Sequence, residues 1–326
     1  MYRARIIGTG SSTPEKVLTN QDMEALVDTS DEWIVTRTGI RERRIASDGE
    51  TVSTFAHRAA LNALDMAGVA PDELDMIIVG TITPDMPTPS VACLLQHKLH
   101  ARRAWAFDVS AGCSGFLYSL AIADNCIKTG SCNKALVIGA ETLSKITDYQ
   151  DRTTCILFGD AAGAVVVSRE RGDRGILSMH LYSDGSCGDL LYMPGGGSAC
   201  PATHESIERR MHFLKMDGNK VFKTAVKSLE DAALTALRHN NLTGNDIDLL
   251  ISHQANLRII QAIAKRLELP PEKVFMNIEK YGNTSSASVP LALDEANRQH
   301  RIRKNDLVLL DAFGAGFTWG SALLRW

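Results

Sequence analysis

The chain has no apolar run approaching the ~20 residues of a membrane span. It also has no CxxC pair, no complete GxGxxG and little net charge. Each absence removes a class of function. Without an apolar run, no membrane-spanning segment is expected. The cysteines at 93, 113, 126, 132, 155, 187 and 200 are odd in number and unpaired in spacing, which argues against a disulfide framework or a zinc site and for a reducing compartment. A formal net charge of −3 gives no global attraction to nucleic acid or anionic membrane, so an acidic partner must meet a local patch. Gly8-Thr9-Gly10 begins like a dinucleotide loop, but Pro14 falls where the helix should open. The opening Met1 to Gly8 is too short and too charged for a signal peptide, so a cytoplasmic location is expected.

What is present is an ordinary globular composition, 44% hydrophobic and 22% charged over 326 residues, enough for two domains or one duplicated unit. Strands are predicted over Ala4–Gly8, Asp75–Gly80, Ala104–Val109, Ala135–Gly139, Ala164–Ser168, Ile176–Tyr182, Asp248–Ser252, Leu307–Asp311 and Thr318–Trp326. Helices are predicted from Asn20 to Val27, Asp31 to Thr38, Thr51 to Ala67 and Pro89 to His100. Four more are predicted from Cys113 to Gly130, Gly218 to His239, Leu257 to Leu267 and Ser285 to His300. The alternation implies βαβ units and a largely parallel sheet covered on both faces, an α/β protein. Arg41-Glu42-Arg43-Arg44 reads as a solvated basic segment. Residues 183–204, around Gly195-Gly196-Gly197, read as a long loop of the kind that carries function.

The two halves repeat one plan. Cys113 lies 38 residues after Asp75, and Asn283 lies 35 after Asp248; the next strands begin 22 and 24 residues later, at Ala135 and Leu307. Each half then reaches a glycine-rich turn, Phe158-Gly159-Asp160-Ala161-Ala162-Gly163 or Phe313-Gly314-Ala315-Gly316. Cys113 and Asn283 thus fall at equivalent helix starts. In a face-to-face duplication the two starts meet.

A thiol at a helix start faces free backbone N–H groups and the positive end of the dipole, which favours the nucleophilic thiolate. Taken alone, Cys113 reads first as a buried structural cysteine. His253, in Ser252-His253-Gln254-Ala255-Asn256, follows a strand, the place where α/β sheets put ligand groups; alone it is equally a structural histidine. Asn283 alone reads as an N-cap. Together they form a coherent set. A thiolate takes an acyl group, while a neutral imidazole and an amide each donate a hydrogen bond to an oxygen gaining negative charge. That pairing suits an enolate better than an activated water.

Four motifs carry a resemblance over essentially the whole chain: Asp108-Val109-Ser110-Ala111-Gly112-Cys113-Ser114-Gly115-Phe116, Ser252-His253-Gln254-Ala255-Asn256, Tyr281-Gly282-Asn283-Thr284-Ser285-Ser286-Ala287-Ser288 and Phe313-Gly314-Ala315-Gly316-Phe317-Thr318-Trp319-Gly320. The sequence resembles β-ketoacyl-acyl-carrier-protein synthase III. The resemblance implies a thiolase-like fold, with halves 1–175 and 176–326 forming a five-layered αβαβα core, and a homodimer. It implies an initiating condensing enzyme of type II fatty acid synthesis. An acyl-CoA primer is transferred to Cys113 and joined to malonyl-acyl-carrier protein, with loss of CoA and carbon dioxide. His253 and Asn283 would stabilise the enolate, and the backbone N–H groups of Cys113 and Ala315 would form the oxyanion hole. Acyl-CoA is then a substrate, and neither a resident cofactor nor a metal is implied.

The resemblance further assigns CoA contacts to Trp33, Arg37, Thr38, Arg152, Gly218, Asn219, Ala255 and Asn256. It assigns contacts with the acidic carrier protein to Lys223, Arg258, Lys265 and Arg266, and the acyl pocket to Thr88, Leu143, Phe158 and Phe313. Thr88 departs from the phenylalanine with which short-primer members reach across the dimer, so a longer pocket accepting medium or branched primers is expected. Ala315 within the glycine loop is a second departure, harmless if only its N–H is used. Rival readings are a thiolase-fold ketide or quinolone-type synthase extending CoA esters, a cysteine acyl-thioester hydrolase, and a non-catalytic acyl-binding protein.

Overall fold

Two mixed sheets frame the molecule, which the computed structural model describes over residues 2–326. In chain order the main elements are β1 (Tyr2–Ser12), α1 (Asp31–Thr38), α2 (Val52–Ala67), β2 (Met76–Gly80), α3 (Val91–Lys98), β3 (Trp105–Val109), α4 (Gly115–Thr129), β4 (Lys134–Thr142) and β5 (Asp160–Arg171). They continue with β6 (Gly175–Ser183), α5 (Gly218–His239), β7 (Leu249–Ser252), α6 (Leu257–Arg266), α7 (Ser288–Arg298), β8 (Leu307–Gly314) and β9 (Thr318–Arg325).

The first sheet runs β1-β5-β4-β2-β3 and the second β6-β9-β8-β7. In both, two antiparallel pairs lead into a parallel one. The first sheet adds β3, parallel to β2; in the second, a single parallel bridge from Leu250 to Val274 occupies that place. The duplication is thus visible as one strand order used twice. The sheets are less parallel than the sequence pattern suggests. Only residues 315–317 separate β8 from β9, too few for a crossover, so the chain must return antiparallel.

Five layers result. Helices α2 and α3 cover the outer face of the first sheet, α4 and α7 fill the space between the sheets, and α5, with α6 beside it, covers the second. Alternation along the strands divides the core. Ile77, Val79, Leu136 and Ile138 face α2, while Met76, Ile78, Ala135 and Val137 face the central helices. Both faces are buried, so these strands are apolar throughout. Each fully buried Ile or Val contributes roughly 1.5–3 kcal/mol. Helix α5 shows the matching 3.6 period, burying Ala225, Leu229, Ala232, Ala233, Ala236 and Leu237, and the Asp217 carboxylate caps it by accepting from Lys220 N.

Three local expectations change. The helix expected from Asn20 to Val27 spans only Asn20–Glu24, with Thr19 as its cap. The basic segment is not a solvated face: Glu42–Arg44 pairs with Val17–Thr19, and strand alternation turns Arg43 inward, where it is fully buried. Its Nη1 donates to Asn20 Oδ1 at 2.9 Å and its Nη2 to Ile156 O at 2.5 Å; burial pulls the guanidinium down to about 10. Residues 183–204 are partly ordered, with a tight turn at Gly185–Leu190 and Leu191–Tyr192 paired to Lys215–Met216.

Candidate active site

Cys113 and Asn283 each precede a central helix, through a 3-10 turn rather than the first α turn: Gly112–Ser114 before α4 and Ser285–Ala287 before α7. The approach of these segments to the β8–β9 turn is very close. A Cβ on Gly314 would lie 2.3 Å from Cys113 N, and one on Gly112, at φ +52°, would lie 2.7 Å from Ala315 N. Only glycine fits either place. The closeness brings the N–H of Cys113 and that of Ala315 to one locality.

His253 follows β7, and its backbone N–H donates to Asp311 O at 2.9 Å. Its Nδ1 lies 2.5 Å from Ser288 Oγ, and Gln254 N donates to the same oxygen at 3.4 Å. Nδ1 is the one acceptor within reach of the Ser288 hydroxyl among the described residues, so the Ser288 hydrogen is assigned to Nδ1 and the imidazole proton to Nε2. Burial pushes His253 down to about 3, so the ring is neutral. Asn283 is pinned on both sides: its N–H donates to Leu157 O at 2.8 Å and its carbonyl accepts from Gly159 N at 3.0 Å. Its Oδ1 accepts from Ser285 N at 2.8 Å, which leaves Nδ2 as the end free to donate.

The thiol is where the sequence reading fails in part. A helix start favours thiolate, but Cys113 is buried. Burial pushes its thiol up to about 12; Glu141 adds to the rise, and the neighbouring Ser285 side chain opposes it. Desolvation outweighs the helix-start N–H groups, and the resting group is a thiol.

These three residues form the floor of one cavity of about 1010 Å³. Trp33, Arg37, Thr38, Arg152, Gly218, Asn219, Ala255 and Asn256 all line it, as do Lys223, Arg258, Phe158 and Phe313. Trp33, 38% exposed, is flanked by two guanidiniums, Arg152 at 5.7 Å and Arg37 at 5.8 Å from the ring centroid. Asn256 Nδ2 donates to Arg37 O at 3.0 Å, tying the start of α6 to the end of α1.

Four sequence-selected side chains lie apart from the cavity wall. Lys265 and Arg266 are exposed on the last turn of α6. Leu143 is buried behind Phe158, in a cluster with Leu214. Thr88 is exposed and does not line the cavity of its own chain. Sequence reasoning missed Met216, Val221 and Phe222 in the wall, although Val221 and Phe222 sit one turn into α5 on the face that Ala225 and Leu229 continue. It also missed Glu141, a fully buried carboxyl in contact with Ser285 and Ser286, for which no motif gave a signal. Among the described residues, no three His, Cys, Asp or Glu side chains group as a metal site would require, and no helix is long and apolar enough to cross a membrane.

Comparison with known proteins places this geometry in a family. Residues 107–185 match the model for 3-oxoacyl-[acyl-carrier-protein] synthase III, and residues 237–326 match that for its C-terminal region. A β-ketoacyl-[acyl-carrier-protein] synthase III of Caldanaerobacter subterraneus is 55% identical over 99% of this chain and 98% of its own length. The crystal structure of the 3-oxoacyl-[acyl-carrier-protein] synthase III of Aquifex aeolicus superposes with a TM-score of 0.93 at 49% identity, covering 99% of this chain and all (100%) of the other. A priming β-ketosynthase of the R1128 polyketide pathway superposes at 0.92 with 36% identity, over 99% and 96% of the two chains.

Proposed function

The chain belongs to the 3-oxoacyl-[acyl-carrier-protein] synthase III family, and on that premise we propose that it primes fatty acid synthesis by decarboxylative condensation. The observation that carries the reading is the convergence of Cys113, His253 and Asn283 on the floor of a cavity whose mouth bears Trp33, Arg37 and Arg152.

In the first step the Cys113 sulfur bonds to the carbonyl carbon of acyl-CoA, and the thiol proton ends on the departing CoA sulfur. The tetrahedral oxyanion is met by the N–H groups of Cys113 and Ala315, each such donor stabilising it by roughly 3 kcal/mol. In the second step the malonyl thioester of the carrier protein loses carbon dioxide. The electron pair so released forms an enolate, whose oxygen receives hydrogen bonds from His253 Nε2–H and Asn283 Nδ2–H. A neutral imidazole suits this task because it donates the hydrogen bond without giving up the proton. The enolate carbon then attacks the Cys113 thioester, and the sulfur leaves as a thiolate that takes a proton from solvent water. Hydrolysis would need a base to activate water, and an imidazole held near 3 is a poor one.

The acidic carrier protein would dock on Lys223 and Arg258 at the mouth, with Lys265 and Arg266 extending the patch along α6. This patch also argues against a synthase that extends free CoA esters. Adenine would stack on Trp33; two ring contacts need about 7 Å, so Arg152 moves outward slightly to admit it. A homodimer is supported by β3, an edge strand of the first sheet that carries Trp105, 44% exposed, stacked on Phe107. In such a dimer the exposed Thr88 loop would reach the partner's acyl pocket beside Leu143, Phe158 and Phe313, and threonine there would leave room for medium or branched primers. We take residues 1–175 and 176–326 as the two halves, and the cytoplasm as the location.

The test is a mass-spectrometric competition among acyl-CoAs for Cys113, followed by malonyl-carrier protein. Acylated Cys113, released carbon dioxide and a β-ketoacyl-carrier product are expected. Acylation followed only by free acid would instead establish hydrolysis, and strict acetyl preference would overturn the role given to Thr88.

A further inference from the structure

Glu141 is the penultimate residue of β4, with its side chain fully buried between the two halves of the duplication. From the first half it meets Thr83 Oγ1 at 2.6 Å and Thr81 Oγ1 at 3.2 Å, both on Oε2, and Ile82 N at 3.2 Å. From the second half it meets Ser286 Oγ at 3.0 Å and Ser285 Oγ at 3.2 Å, both on Oε1. The other titratable group that faces it is the Cys113 thiol; Thr81, Ile82, Thr83, Ser285 and Ser286 supply the rest of its hydrogen-bonded surroundings.

The hydrogens can be counted. Thr83 Oγ1 accepts from Thr142 N at 2.9 Å, and Thr81 Oγ1 accepts from Thr83 N at 3.1 Å, so both threonine hydroxyls are free to donate to Oε2. Ser286 differs. Its Oγ lies 2.7 Å from Gly80 O, a carbonyl that can only accept, and a hydroxyl has one hydrogen to give. With that hydrogen on Gly80, the 3.0 Å contact between Ser286 Oγ and Glu141 Oε1 is a hydrogen bond only if Oε1 carries a proton.

We infer that Glu141 serves the proposed condensation as a neutral positioning acid: it donates from Oε1 to Ser286, holds Ser285 beside it, and so fixes the Asn283 amide toward the enolate. The link to Asn283 runs through Ser285, whose backbone N donates to Asn283 Oδ1 at 2.8 Å. Ser285 adopts φ +50°, an uncommon conformation for a residue with a side chain, and its hydroxyl contact with Glu141 helps to hold it there. Neutrality matters because a carboxylate at this place would oppose both the Cys113 thiolate and the enolate. Burial, which pushes the Glu141 carboxyl up to about 7, favours the same state.

The inference rests on the condensation reading, and its test separates the two. Glu141→Gln offers an amide N–H toward Ser286 and a carbonyl toward Thr83; Glu141→Ala offers neither. The alanine variant is expected to lose roughly tenfold or more in kcat for malonyl decarboxylation with KM for acyl-CoA unchanged, and glutamine is expected to restore most of that loss. The wild-type infrared spectrum should contain a protonated-carboxyl C=O band absent from Glu141→Gln. Alkylation of Cys113 by iodoacetamide should match between wild type and Glu141→Gln at pH 6 and be faster in the variant at pH 8, where ionised Glu141 opposes the thiolate. A glutamine variant as impaired as alanine, or the absence of the band, would overturn the inference. Wild-type condensation activity tests the underlying reading, and the infrared and alkylation measurements do not depend on it.

Discussion

The Ser288 hydroxyl lies 2.5 Å from Nδ1 of His253, joining the first turn of α7 to the residue that follows β7. This contact decides which imidazole nitrogen carries the proton and directs Nε2–H into the cavity.

Replacing Ser288 with alanine removes the group that selects this tautomer while leaving His253 in place. A hydrogen bond of about 1 kcal/mol is lost, so Ser288→Ala should slow malonyl decarboxylation by roughly fivefold to tenfold, with acyl transfer to Cys113 little changed. Single-turnover measurement of the two half-reactions checks this. Equal loss in both would mean that Ser288 merely supports the fold.

Trp33 is the exposed aromatic of the cavity wall, with the guanidiniums of Arg37 and Arg152 near its ring, and it is not one of the three buried polar residues of the site. Its loss should weaken CoA binding in ground state and transition state alike. Trp33→Ala is therefore expected to raise KM for acyl-CoA by roughly tenfold, the worth of one stacked aromatic contact, with kcat preserved. Steady-state kinetics with acyl-CoA varied at saturating malonyl-carrier protein would reveal a fall in kcat if the assignment is wrong.

Stability should depend on pH with a definite sign. Burial pushes Asp311 and Glu141 up to about 7, whereas unfolded carboxyls release their protons near 4. The folded state binds the additional protons, so this contribution is full below about pH 4 and is lost as pH rises through 7. His253, pushed down to about 3, acts oppositely but only below its ordinary value of about 6.5. From pH 6.5 to 7.5 the loss from the two acids outweighs the remaining gain from His253, and the melting temperature should fall. Asp311, whose Oδ2 is buried without a hydrogen-bond partner, is the group to change: Asp311→Asn should flatten the fall, and an unchanged slope would assign it elsewhere.

Much of the molecule was legible before any coordinates. Apolar period along the chain gives strands and helices, small residues and caps mark their ends, and the matched spacing of Cys113 and Asn283 betrays the duplication, because all of these are written in local order. Legibility fails where a side chain's fate depends on distant neighbours. Arg43 lies in a basic run yet is buried, since Asn20 and the Ile156 carbonyl, far along the chain, complete its hydrogen bonds.

By itself, then, the sequence determined the repeated βα plan and the cysteine, histidine and asparagine that such a plan brings together. Only the tertiary structure decided their chemical state. Cys113 is a thiol rather than a thiolate, and His253 a neutral donor with its proton on Nε2. Glu141, which no motif marked, is drawn between the two halves. The reason is physical: backbone periodicity and capping are settled within a few residues, whereas desolvation and hydrogen-bond counting depend on everything packed around a group.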